Sequence, residues 1–142
     1  MNKSEIALNT LLRTMAPVLS PDVFVYASVD SISSLKEIEP ICTFAEAEGL
    51  SIIVEREQAE RAHLSSILEV RMITLTVHSD LEAVGFIARI SAVLAKAHIP
   101  CNVVSACFHD YIFVPSELAT SALDLLITLT GTANTPPSAL LN

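Results

Sequence analysis

The segment that most limits what this chain can fold into is VRMITLTV, residues 70–77, which would carry apolar side chains on both faces of a strand. Such a strand needs cover on both sides or at an edge. The residues after it narrow the choice further. Ser79-Asp80-Leu81-Glu82 fits a capping box, in which the Ser79 hydroxyl and the Glu82 carboxylate each satisfy an orphan amide, and predicts a helix from that point. Val84, Ile87, Ile90, Leu94 and Ala97 then share one helix face, Arg89 and Lys96 face water, and the helix ends before Pro100. Residues 101–108 and 111–114 read as strands joined by a tight turn at His109-Asp110. Pro115 suits the first turn of a last helix with the stripe Leu118, Ala122, Leu125 and Leu129. From Val70 the order is β-α-β-β-α, which calls for one sheet with both helices on one face.

The first half is less regular but has a similar number of elements. Ile6, Leu8, Leu12, Met15 and Leu19 recur at helical spacing after Ser4, a candidate N-cap, and Pro17 closes that helix. Residues 23–29, VFVYASV, read as a buried strand, and residues 30–39 as loop or a short helix. Residues 41–55 read as two strands folded at Glu48-Gly49, and residues 57–66 as a short polar helix and linker. Residues 1–69 and 70–130 are therefore expected to form two small α/β sandwiches that share or abut their sheets. A Pro/Thr-rich tail over 131–142 completes the chain.

Composition removes several classes of function. The 142 residues carry 8 basic and 16 acidic groups, a formal net charge of −8, so phosphate backbones and anionic lipid are poor partners. The acid excess lies mainly in residues 1–69 and reads as a solvated surface around an apolar protein. Only three glycines are present, Gly49, Gly85 and Gly131, too few for a P-loop or a dinucleotide fingerprint. Cys42, Cys101 and Cys107 have no metal-knuckle spacing, and an odd set without a framework points to a reducing compartment. Cys101 and Cys107, six apart, would face the same way on a regular strand. No signal peptide or membrane span is read from the sequence, so a cytoplasmic protein without metal or cofactor is expected.

The second half resembles an ACT domain, a small-molecule-binding regulatory module with a ferredoxin-like sandwich. The resemblance rests on Ser79-Asp80-Leu81-Glu82-Ala83-Val84-Gly85-Phe86 after a strand, and on His98-Ile99-Pro100-Cys101-Asn102-Val103-Val104. Over most of residues 5–130 the chain is similar to a group of short proteins with two ACT-like halves. The Phe44-x-Glu46-x-Glu48-Gly49 hairpin, His78-Ser79-x-Leu81-Glu82-Ala83-Val84-Gly85 and His109-Asp110-x-x-Phe113-Val114-Pro115 carry that similarity. Tyr111 stands where the group often has a second histidine. The resemblance implies an α+β fold of two ferredoxin-like sandwiches with antiparallel sheets in tandem, and a homodimer.

Two functional readings compete. In the first, the turn around Asp80–Gly85 binds an amino-acid-like ligand. Free amides at the helix start hold its carboxylate. Asp80 meets its ammonium by resemblance, and Gly85 allows close approach. His78, Ser79, Val84 and Phe86 flank that turn, and Asn102 reaches the ligand from a neighbouring half or chain. The plainer alternative is that Ser79 and Glu82 only cap a helix, Gly85 only eases packing and Asn102 only bonds local backbone. In the second reading, His109, Asp110 and Tyr111 form an acid–base set for a small isomerase, lyase or hydrolase in a cleft between the halves. Against it, Asp and His are also tolerated in a two-residue turn for backbone reasons. A module that binds a protein partner and no small ligand is the third possibility. His63 and His98 are isolated, and no metal site is expected.

Overall fold

A computed structural model describes residues 2–77 and 81–133 of the chain. Helix α1 (Lys3–Thr14) leads into β1 (Ala16–Val29), a 3-10 turn at Ile32–Ser34, β2 (Cys42–Glu46), β3 (Gly49–Glu55) and α2 (Arg56–Arg61). The second half runs β4 (Leu68–Thr76), α3 (Phe86–Lys96), β5 (Asn102–Ser105), β6 (Asp110–Pro115), a 3-10 turn at Ser116–Leu118, and α4 (Ala119–Ala133). All strands belong to one sheet in the order β2-β3-β1-β4-β6-β5, and each neighbouring pair is antiparallel.

That order has an internal symmetry. β1 pairs with β3 and β3 with β2, as β4 pairs with β6 and β6 with β5, while β1 and β4 pair with each other at the centre. A ferredoxin-like half needs four strands in a 4-1-3-2 order. Each half supplies three strands and takes the first strand of the other as its fourth. The two expected sandwiches are present, and their sheets are continuous through the β1–β4 pair. β1 shifts register between Leu19 and Val23. There Arg71 of β4 donates from Nε (3.0 Å) and Nη2 (2.5 Å) to the Ser20 carbonyl, pinning the bulge beside Pro21.

Helices cover one face of the sheet. Under α1, α3 and α4 lies the larger cluster, with Leu12, Met15, Ile73, Leu75, Phe86, Ile90, Leu94, Ile112 and Leu126 among its buried members. Under α2 lies a smaller one built from Val25, Ala27, Val29, Leu50, Ile52, Val54 and Ala59. Although α1 opens the chain, Leu12 and Met15 place it on the core of the second half. The other face carries Phe24, Ile53, Val70 and Phe113, with Tyr26 and Phe24 each meeting the Phe113 ring edge-on at 6.2 and 6.4 Å. The outermost strands β2 and β5 approach each other across this face. Ile41 and Cys42 line one cavity of about 380 Å³ together with Val104, Ala106, Tyr111 and Phe113, so the sheet curls toward its helix-free side.

Several local expectations change. Asn2, not Ser4, caps α1: its side chain accepts from the Glu5 amide while Glu5 accepts from the Asn2 amide, a complete capping box. α1 ends at Thr14, ahead of Pro17, so Leu19 lies in β1. α3 starts at Phe86 and not after Ser79, because Gly85 takes a left-handed conformation (φ +92°) at the N-cap and its carbonyl accepts the first helical bond, from Arg89. Ser79 lies outside the described residues, and Glu82 is not in the first turn of α3. Val84 therefore leaves the helix stripe and stands 81% exposed. The turn between β5 and β6 is residues 106–109, closed by the Ala106 amide on the His109 carbonyl, and Asp110 is a strand residue. Cys101 and Cys107 flank β5 without belonging to it, and Cys107 is exposed. Pro115 ends β6 ahead of a 3-10 turn, and α4 runs to Ala133, past the expected start of the tail.

Candidate functional site

A small cavity, about 130 Å³, opens where α3 begins. Gly85, Phe86, Ile87 and Ala88 form its helical wall, Leu81 and Ala83 the preceding loop, and Ser105 and Asp110 the ends of β5 and β6. The parallel run of β4 and β5, with α3 returning between them, brings these three chain segments to one end of the sheet. The volume corresponds to roughly four waters, room for a small ligand. The first amides of α3 have no intrahelical acceptor and carry the positive end of the helix dipole. Asp110 is only 5% exposed and has interactions of its own.

Of the seven residues the sequence assigns to ligand binding, Gly85 and Phe86 line this cavity. Phe86 is buried in the core cluster and contributes wall, not polarity. Val84 is adjacent and turned to solvent. Asn102 opens β5 opposite Phe113, three residues before Ser105, and does not share the cavity within one chain. His78, Ser79 and Asp80 lie outside the described residues. Sequence reasoning assigns neither Ser105 nor Asp110 to this site. The available signal is a carboxylate at the head of DYIFVP, an otherwise apolar strand.

The acid–base set is divided by the sheet. Asp110 pairs with Leu75 and Ser105 on the helix-covered side, while Tyr111 pairs with Thr74 and Val104 and lines the helix-free cavity. Side chains alternate along a strand, so neighbours at 110 and 111 point to opposite faces. His109 meets Tyr111 edge-on at 6.5 Å, and its Nδ1 lies 3.3 Å from the Val77 carbonyl. The three side chains do not converge on one cavity.

The remaining titratable groups reflect their packing. Burial raises the Tyr26 phenol above its ordinary value, with smaller contributions from Cys42 and Cys101. Burial also raises the Cys101 thiol, which suppresses its thiolate. His63 and His98 are left-handed residues (φ +53° and +58°) just past α2 and α3. In each case the next residue's amide bonds five residues back, Leu64 to Ala59 and Ile99 to Leu94, the Schellman closure that usually employs glycine. Among the described residues no group of three or more His, Cys, Asp or Glu is placed to hold a metal ion, and no helix is long and apolar enough to cross a membrane.

Comparison with known proteins agrees with this architecture. Residues 3–71 match one ACT domain family and residues 67–128 a second. No curated protein matches the chain. A Vibrio cholerae protein of unknown function, described as a possible transport protein, has a similar solved structure. It shares 39% identity at a TM-score of 0.82, over 90% of this chain and 99% of that one. The ligand-free regulatory subunit of aspartate kinase from Thermus thermophilus is similar at 12% identity and a TM-score of 0.66, covering 83% and 97% of the two chains. E. coli aspartokinase III in complex with aspartate and ADP is similar at 13% identity and a TM-score of 0.54, over 84% of this chain and 33% of that one. At such identities the aspartokinase likenesses speak for the fold. The chain belongs to the ACT domain family and carries two ACT-type domains in tandem.

Proposed function

We propose that the protein is a non-catalytic sensor or regulator in the cytoplasm, and that it binds a small amino-acid-like ligand at the start of α3. ACT domains commonly serve as ligand-binding regulatory domains, as in aspartokinase regulatory subunits. The observation that supports the reading most directly is the cavity at Gly85, which places unpaired helix amides and a buried carboxylate, Asp110, on two sides of a small space. The amides suit a carboxylate. An ammonium would add to the partners Asp110 already has, and Asp80, which precedes α3 in the sequence, is the second candidate for that contact. The volume favours a small side chain. We assign His78, Ser79, Val84 and Gly85 to the same site from the sequence motif, and Asn102 serves it from another copy in a homodimer. The separation of Asp110 from Tyr111 weighs against the hydrolase, lyase or isomerase reading.

A thermal-shift screen of the twenty amino acids and a few 2-oxo acids at millimolar concentration tests this. A ligand at about 100 times its Kd adds roughly 2.7 kcal/mol. A selective rise in Tm for a small amino acid, removed by Asp80→Ala or Asp110→Asn, is the expected result. A melt unmoved by all of them would overturn the reading, and a chain that stays monomeric at micromolar concentration would remove Asn102 from the site.

A further inference from the structure

A cavity of about 570 Å³ lies in the first half, between the segment after β1 and the helix α2. In the second half the corresponding connection is α3, and it packs against α4, the counterpart of α2. The first half replaces that eleven-residue helix with a single 3-10 turn, so the space beside α2 is left unfilled. Leu35, Ile38 and Leu64, which lean on the smaller core cluster, give it an apolar floor.

Its polar lining is unusual for this chain. Only 8 of 142 residues are basic, yet Lys36 and Arg61 both line this one cavity, and among the described residues neither forms an ion pair. Glu37 is the single acid on the wall, so the lining itself carries two positive groups against one negative. Lys36 is also held in a left-handed conformation (φ +47°). It follows the C-cap of the 3-10 turn, as His63 and His98 follow those of α2 and α3.

We propose that this cavity binds a small monoanion, a carboxylate on an apolar body, with Lys36 and Arg61 on the anion and Leu35, Ile38 and Leu64 against the body. Arg61 offers the planar fork that matches a carboxylate. The site is independent of the one at Gly85. Phenylacetate and its uncharged isostere phenylacetamide are suitable probes for ¹⁵N–¹H NMR titration of the full chain. Phenylacetate should shift the amides of residues 34–38 and 58–64, and phenylacetamide should not. Arg61→Gln, at the end of α2, should raise Kd about tenfold, the loss of one charge-assisted hydrogen bond, with Arg61→Lys retaining part of the affinity. Lys36→Gly separates binding from folding: it should weaken binding while the Tm holds or rises. Equal shifts from the amide, a Kd indifferent to Arg61→Gln, or shifts confined to residues 85–88 would each overturn the proposal. The last of these would leave the Gly85 site standing, and failure here does not bear on the amino-acid screen.

Discussion

The two halves of the molecule share a pairing scheme and differ in what covers it. Around the central β1–β4 pair the strand order repeats, β3 then β2 on one side, β6 then β5 on the other. The helix layer does not repeat. The second half has α3 and the fifteen-residue α4, and it borrows α1 from the other end of the chain; the first has the six-residue α2 and a 3-10 turn. Fourteen buried residues make up the larger cluster and seven the smaller, and the difference falls under the helices and not in the sheet. Backbone pairing thus sets the architecture. The helix layer can thin on one side because β1 and β4 belong to both halves and tie the weaker one to the stronger.

Truncating matched core residues is the strongest way to break this comparison. Ile90 and Ile52 are both essentially inaccessible, one under the packed helices and one in the thinly covered cluster beneath α2. Ile90→Ala should cost about 4–5 kcal/mol and Ile52→Ala about 2–3, because a thinly covered site collapses around the void more easily. Chemical denaturation followed by circular dichroism should give one transition for both variants. Two transitions would show that the shared strands fail to couple the halves.

The turn glycines sharpen it next. A Cβ on Gly49 (φ +152°) would lie 2.9 Å from the Val29 carbonyl oxygen, whereas on Gly85 (φ +92°) it would only touch Leu8 at 3.5 Å. Gly49→Ala should therefore lower stability by about 2–3 kcal/mol and Gly85→Ala by about 1–2, the first adding a clash to backbone strain. Thermal melts of the two variants check the order. The smallest effect tests a likeness. His63→Gly and His98→Gly relieve the same left-handed cap in unlike halves, and each should raise stability by about 0.5–1 kcal/mol. Unequal gains would mean that one histidine has a further contact to lose.

Much of this is legible in the residues. The hairpin at Glu48-Gly49, the strand over 70–77, the helix stripe through Ile90 and Leu94 and the resemblance to ACT domains all rest on patterns within one element or between neighbours. The helix start at Phe86 is not legible, since Ser79 and Glu82 form a good local capping signal too early for a helix that waits for Gly85. The candidate site is half legible: Gly85 and Phe86 stand in its motif, but Ser105 and Asp110 reach it from strands more than fifteen residues away. His109-Asp110-Tyr111 looks like one cluster because the three are adjacent in sequence, and strand alternation separates them in space.

The sequence by itself determined which segments become strands and helices, through periodicity, caps and glycine, all of which act over a few residues. Only the tertiary structure decided that α1 would serve the distant half, that β1 and β4 would be common to both sandwiches, and that a cationic cavity would open beside α2. Leu12 and Met15 would satisfy any apolar surface of the right shape. Which surface they meet depends on strand order, and strand order is settled by pairings between segments far apart in the chain, where the hydrophobic effect has no direction of its own and geometry alone selects the partner.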